Sequence, residues 1–206
     1  ALRVLISAQS GDLALVAELI KLPSFDTFAA EFDIIPVDEI ITITRLFEQQ
    51  IAEQLFDELL HCYSSLVDDG SINADAVAIR ALKGVCLHYL AKIPSEQVDR
   101  FIKESADSPN MTNVLASLSA VVKASHPLRT TLLDHFDSQW RHDVLVMDKW
   151  FALQAMQSGD DAIENIKALY AHPSFDFSNP NRVRALVGSF SHFNTAQFHR
   201  KDGEGY

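Results

Sequence analysis

The sequence contains no glycine between Gly84 and Gly159, and this gap is the feature that most restricts its fold. Antiparallel hairpins usually need a glycine at a tight turn, so such a stretch is difficult to build as a sheet. Glycine and proline are also scarce in the whole chain of 206 residues, which has 7 of each. We therefore expect helices throughout.

Helix start signals recur along the chain, and apolar residues three and four positions apart follow each of them. The longest such pattern begins at Pro36 and ends at Tyr63, and we interpret it as one helix of roughly 25 residues. Several helix starts carry a short polar side chain that can accept hydrogen bonds from the first free N–H groups. The clearest candidate N-caps are Asp12, Ser24, Asn73, Asp143, Asn179 and Asn194.

The order of these patterns predicts an all-α fold. About ten or eleven helices with short connections and no strand are typical of an array in which neighbouring helices pack antiparallel. No linker rich in Pro, Gly or Ser divides the chain, so residues 1–206 are predicted to form a single domain. Stacked helical hairpins make a superhelical solenoid of the armadillo or HEAT type. Successive hairpins share no motif, so this prediction rests on helix order and length rather than on an internal repeat.

The charge balance excludes several classes of partner. The chain has 17 basic and 28 acidic residues, which gives a net charge of −11. Nucleic-acid binding depends on Lys and Arg that displace counterions, so nucleic acid is not expected as a partner. No apolar run approaches the ~20 residues of a membrane span, and no basic and apolar leader is recognised. The sequence therefore predicts a soluble protein without a membrane partner.

The two cysteines, Cys62 and Cys86, lie inside apolar helical patterns, where a free thiol is commonly buried. This use of cysteine predicts a reducing, cytoplasmic compartment. With His61 and His88 they offer four possible zinc ligands, but the two members of each pair diverge on a helix. Buried thiols with solvated imidazoles are therefore favoured over a metal site. The His-Glu-x-x-His zinc motif is absent from the sequence.

Two further groups of side chains have both a functional and a structural interpretation. The acidic group consists of Asp68, Asp69, Asn73 and Asp75. It lacks the spacing of an EF-hand, so a solvated turn followed by a helix cap is favoured over a calcium site.

The aromatic and sulfur group consists of Met147, Trp150, Phe151 and Met156. It is expected to pack in the core, with contact to a ligand as the alternative.

Arg182 and Arg184 are the most informative candidates for a binding site. If Leu186 and Phe190 are buried with their apolar neighbours, about 100° per residue places the two arginines on opposite borders of the apolar stripe. The two side chains then cannot face the same solvent. Composition alone favours two surface arginines whose stems lie on apolar neighbours. The alternative is that one of them projects into a groove or cavity.

Long motifs in the second half of the chain carry a resemblance to a known family. They read LVMDKWF at 145–151, HPSFDFSNPNRVRALVGSF at 172–190 and FHxxDGxGY at 198–206, with supporting segments at 32–35, 80–86 and 110–118. Together these segments resemble the C-terminal helical domain of bacterial aminopeptidase N, a zinc-dependent alanyl aminopeptidase. The resemblance covers essentially the whole chain in order.

The resemblance implies that this chain is part of a cytoplasmic enzyme that removes N-terminal residues from short peptides. In that family the catalytic domain and its zinc site lie upstream, and the C-terminal domain closes over the active site and lines a peptide channel. Arg184 matches a family arginine that faces this channel, whereas Arg182 has no such support. The chain matches most of the domain and stops before its last helices, so a further channel arginine would fall beyond Tyr206.

These implications assign no catalytic residue and no metal ligand to the chain itself. We expect zinc in the parent enzyme only, no activity from the isolated chain, and the upstream catalytic domain and short peptides as partners. A solenoid that lacks a capping repeat is also expected to expose an apolar end and to self-associate. The alternative, from a different class, is a free-standing helical scaffold that binds a protein partner in its concave face.

Overall fold

The computed structural model describes residues 2–8, 11–159 and 161–206, with side chains described for all of these except 7 and 8. Throughout these ranges the chain forms helices and connecting turns without a strand, so the all-α prediction is confirmed. The helices divide into two compact units, Ala1–Ala120 and Val121–Tyr206, and each is described by itself. That the two make one domain stays a prediction.

The first unit is built around one helix, α6, which packs against α2, α4, α5 and α7. Residues on all sides of α6 are buried, among them Leu82, Cys86 and Tyr89, which is typical of a helix at the centre of a core. The helices of this unit are α1 (Leu2–Ala8), α2 (Leu13–Leu19), α3 (Phe25–Ala29), α4 (Val37–Gln54), α5 (Phe56–Ser65), α6 (Ala74–Leu90), α7 (Glu96–Ala106) and α8 (Met111–Lys123), whose last residues belong to the second unit.

The prediction of one long helix from Pro36 to Tyr63 is wrong, because the backbone breaks at Leu55. At this residue φ is −118° and ψ is 19°, outside the α-helical region, and α4 ends there while α5 begins. On either side of the break, Ala52 on α4 and Leu59 on α5 are buried, and both helices pack against α6. The 3.6-residue apolar period continues through Leu55, so the sequence pattern does not show the break.

The second unit is built around α10, which packs against α9, α11 and the segment from α12 to α13. Met147, Trp150 and Phe151 on α10 are buried, and the Trp150 Nε1–H donates to the Leu133 carbonyl at 3.0 Å. The prediction that the aromatic and sulfur group packs in the core is therefore confirmed for these three residues. The helices are α9 (Arg129–Trp140), α10 (Val144–Ala155), α11 (Ala162–Leu169), α12 (Pro180–Val183), a π-helix, π1 (Arg184–Gly188), α13 (Ser189–Phe193) and α14 (Thr195–Phe198).

Most of the predicted helix starts are confirmed by their hydrogen bonds. The Asp12 carboxylate accepts from the N–H groups of Ala14 and Leu15 at 3.0 and 3.1 Å. Ser24, Asn73, Asp143 and Asn179 accept equivalent bonds at the starts of α3, α6, α10 and α12. The helix α1 has no capping signal before it and was not predicted.

Candidate functional site

The segment from α12 to α13 carries both candidate arginines. Asn179 begins it, because the Oδ1 atom of Asn179 accepts from the backbone N–H groups of Asn181 and Arg182, and Pro180 occupies the first turn. The helix then widens into π1, whose hydrogen bonds join residues five positions apart. Arg182 lies just before this widened turn, and Arg184 is its first residue.

The π-helical turn changes which residues face the core. The buried positions in this segment are Arg182, Leu186, Phe190 and Asn194, so they recur every four residues rather than every 3.6. The extra residue in the turn keeps all four positions on one side of the segment. Arg182 therefore belongs to the buried stripe itself and does not lie on its border.

The prediction of Arg182 as a border or surface residue is wrong, since its side chain is almost fully buried and fully bonded. Only 2% of the residue is exposed, and its Nε atom lies 2.5 Å from Oδ1 of Asp148. The two Nη groups donate to the carbonyls of Val144, at 3.0 Å, and Ser174. The guanidinium also stacks over the Phe151 ring, 4.7 Å from its centroid. Arg182 thus joins α12 to α10 and to Ser174, which lies in the turn before α12.

Arg184 is exposed, as expected for two arginines that cannot face the same solvent. Two residues along a helix rotate a side chain by about 200°, so Arg184 points away from the buried Arg182. Its guanidinium has no hydrogen-bond or ion-pair partner within the described part of the chain. All of its donors are therefore available to a ligand or to another part of a longer polypeptide.

The four cysteine and histidine side chains considered as zinc ligands lie on the neighbouring helices α5 and α6. Cys62 on α5 and Cys86 on α6 are buried free thiols, which confirms that part of the prediction. A hydrogen bond to Cys62, together with burial, raises the pKa of the Cys86 thiol well above its usual value. His61 is exposed as predicted, but His88 is half-buried and its Nε2 atom lies 3.1 Å from Glu48. The four side chains therefore have different structural roles.

The acidic turn is a solvated turn with a helix cap, as predicted, and it also holds a buried cation. The Asp68 and Asp69 carboxylates accept from the N–H groups two residues further on, and Asn73 caps α6. The Arg80 guanidinium, which is buried, lies 2.8 Å from Asp68. Burial raises the pKa of Asp68, but hydrogen bonds from Asn113 and from the turn, together with the Arg80 charge, lower it below the usual value.

Two partly buried ionic clusters are not among the predictions from the sequence. In the first unit Glu48 lies 2.7 Å from Lys92, in addition to its contact with His88. In the second unit Asp137 pairs with Arg141 and His172. Arg141 is four residues from Asp137, a spacing typical of helical ion pairs, and this signal was available in the sequence. Lys92 and His172 lie on other elements from their partners, so only the fold brings them together.

The residues described here do not form a metal site. Across 2–8, 11–159 and 161–206 no group of three or more His, Cys, Asp or Glu side chains is arranged to hold a metal ion. His192 and His199 are both exposed. In the same ranges no helix is long and apolar enough to cross a bilayer.

Comparison with known proteins places the whole chain in one family. Residues 1–206 match the model described as "Domain of unknown function (DUF3458_C) ARM repeats", in agreement with the predicted armadillo class. Aminopeptidase N of Haemophilus influenzae is 39% identical over 209 residues, and aminopeptidase N of Escherichia coli is 38% identical over 208 residues. Both alignments cover 100% of this chain and 24% of the relative.

A solved structure shows the same arrangement of helices. The aminopeptidase A of Legionella pneumophila, determined in complex with aspartic acid, is similar with a TM-score of 0.85 and 28% identity. The match covers 99% of this chain and 25% of that protein. The chain therefore spans about a quarter of the length of the relatives it matches, and it corresponds to their C-terminal part.

Proposed function

Since the chain belongs to the DUF3458_C family of ARM-repeat domains, we propose that it is the C-terminal helical part of a cytoplasmic, zinc-dependent aminopeptidase that acts on short peptides. The observation that carries this proposal is the 38–39% identity with two aminopeptidase N proteins over the full chain. In this proposal the domain closes over the active site, and the catalytic part of the same polypeptide is its principal partner.

The proposal assigns no step of hydrolysis to this chain. Its described residues offer no group that fits a zinc ion, and no nucleophile or base lies in a recognisable arrangement. In this proposal the zinc ion and the groups that cleave the peptide bond belong to the remaining three quarters of the polypeptide. This chain alone is proposed to be inactive.

Arg184 is the residue of this chain that we propose contacts the substrate. Its guanidinium is exposed and has no partner in the described part of the chain, while the buried Arg182 fixes the start of the same helix. A guanidinium offers planar, permanently charged donors that match a peptide carbonyl or the terminal carboxylate of a short peptide. Arg184 would then hold the peptide while the catalytic part cleaves it.

The experiment is steady-state kinetics of the full-length protein with a short peptide substrate. A hydrogen bond to a charged group contributes about 1.5–3 kcal/mol, so Arg184→Ala is expected to lower kcat/KM by about tenfold to a hundredfold, mainly through KM. Arg184→Lys keeps the charge but loses the planar fork, and it is expected to give a smaller loss.

The matched control is Arg100→Ala, which removes an exposed arginine from α7. Arg182 cannot serve as the control, because its loss would disturb the fold around Arg184. Equal kinetics for the wild type, Arg184→Ala and Arg100→Ala would show that Arg184 does not contact the substrate. A native coding sequence without an upstream zinc motif would instead favour the free-standing scaffold.

A further inference from the structure

Helix α4 in the first unit leaves several large apolar side chains uncovered. Ile40 and Ala52 are buried where the helix packs against α3, α5 and α6. Ile43, Leu46 and Phe47 are 54%, 58% and 54% exposed, although Phe47 follows the buried Ile40 by seven residues and so shares its side of the helix. Positions three and four apart share a helix face, so these three side chains form one surface.

The segment that leads into α4 also exposes large apolar side chains. Phe32, Ile34 and Ile35 are all exposed, and Ile34 retains 89% of its accessible surface. We call the six residues, Phe32, Ile34, Ile35, Ile43, Leu46 and Phe47, the apolar ridge. Large exposed apolar groups scattered singly are ordinary, but a concentration within 16 residues of chain marks an interaction surface.

The apolar ridge is held in place from behind by an ionic contact. Glu48 follows Phe47 directly and is paired with His88 at 3.1 Å and Lys92 at 2.7 Å, toward the carboxyl end of α6. A carboxylate bound to two side chains of another element fixes the rotation of α4 about its own axis. The apolar ridge is therefore presented outward by the fold rather than exposed by loose packing.

The charges around the apolar ridge indicate what covers it. Glu31, Asp33 and Glu39 are exposed beside it, Arg45 is the one exposed basic residue between Phe32 and Phe47, and the chain as a whole has a net charge of −11. Two copies that met through this surface would bring like charges together, which opposes self-association. A surface with basic residues around an apolar centre would fit instead.

We propose that the apolar ridge docks onto a segment of the same polypeptide that lies outside these 206 residues, and that this segment presents an apolar surface flanked by basic side chains. The relatives are about four times as long as this chain, so such a segment is covalently attached and always present at high effective concentration. This inference rests on the proposed function only in taking the chain to be part of a longer aminopeptidase.

The test is hydroxyl-radical footprinting of the full-length protein, with each side chain normalised to its own labelling rate in the unfolded protein. Leu46 and Phe47 are expected to be labelled several-fold more slowly than Ile72 and Val67, which are exposed in a turn of the same unit. Labelling of Leu46 and Phe47 at the rate of these two reference residues would overturn the proposal. So would protection that disappears on dilution together with a dimer in sedimentation, because that result indicates a second copy.

A pair of variants separates docking from folding. Phe47→Glu in the full-length protein is expected to restore radical labelling of Leu46 and to lower the melting temperature, while Ile72→Glu changes neither. Unchanged labelling of Leu46 in Phe47→Glu would count against the proposal. Peptide cleavage by the wild-type protein reports separately on the proposed function. If the apolar ridge is protected from labelling but the protein does not cleave peptides, only the proposed function is wrong. If the protein cleaves peptides but the apolar ridge is fully labelled, only the proposed docking is wrong.

Discussion

Replacement of Arg182 by alanine is the most direct test of the fold around the candidate site. The substitution leaves the Asp148 carboxylate without its cation and removes the donors to the carbonyls of Val144 and Ser174. It also removes the cation stacked on Phe151. Because the guanidinium joins three parts of the second unit, its loss affects all of them together.

The expected cost follows from the environment of the pair. Removal of one partner of a buried ion pair costs about 3–5 kcal/mol. The Asp148 side chain retains 18% exposure and can regain some hydration, so the lower end, about 3 kcal/mol, is expected. For a chain of this size each kcal/mol shifts Tm by roughly 2–4 °C, so Arg182→Ala should lower Tm by about 6–12 °C.

The assay is thermal unfolding followed by circular dichroism, with two comparison variants. Arg184→Ala removes an exposed arginine two residues away and is expected to change stability by no more than about 0.5 kcal/mol. Arg182→Lys keeps the charge but cannot bond three acceptors in one plane, so an intermediate loss is expected. If Arg182→Ala lowers Tm no more than Arg184→Ala does, the buried network does not stabilise the second unit.

Two further predictions concern the first unit. Burial raises the pKa of Glu48, but its contacts with His88 and Lys92 outweigh this effect and lower the pKa from 4.5 to about 2. The resulting stabilisation, on the order of 3 kcal/mol, is complete above pH 4.5 and is lost as the pH falls toward 2. Urea unfolding should show this loss as a fall in the free energy of unfolding. In Glu48→Gln the free energy of unfolding should fall less over the same pH range. Gly84→Ala should raise stability by about 0.5–1 kcal/mol, because a helical glycine is replaced. The new Cβ would lie 3.5 Å from Cβ of Ala116, an ordinary contact, so a lower Tm would indicate that α6 and α8 cannot admit a methyl group.

The parts of the fold that could be predicted from the sequence depend on local physical signals. Asp12 and Asn73 cap their helices through bonds to N–H groups within three residues, so the sequence alone locates these starts. The core role of Met147 and Phe151 follows from helical spacing in the same way. These signals come from residues that are close in sequence and do not depend on contacts with the rest of the chain.

The parts that could not be predicted depend on contacts between distant residues. Leu55 carries an apolar side chain in the correct phase, and only the packing of α4 and α5 against α6 requires the break there. An ideal helix puts Arg182 on the border of the apolar stripe, whereas the π-helical turn puts it in the stripe, and its partner Asp148 is 34 residues away. Exposure of Arg184 was consistent with the helical geometry, but its contact with a peptide was implied only by the family resemblance.

The π-helical turn makes this segment tolerant of one particular change in its length. Removal of one residue from Arg184–Gly188 would restore ordinary α-helical hydrogen bonds. Arg182 and Phe190 would then be seven residues apart, a spacing that keeps two side chains on one face of an α-helix, so Phe190 would still face the core. Removal of one residue from α13, which holds no extra residue, would instead rotate the following side chains by about 100° and take Asn194 away from the carbonyls of Ala155 and Gln157, to which it donates at 2.9 Å.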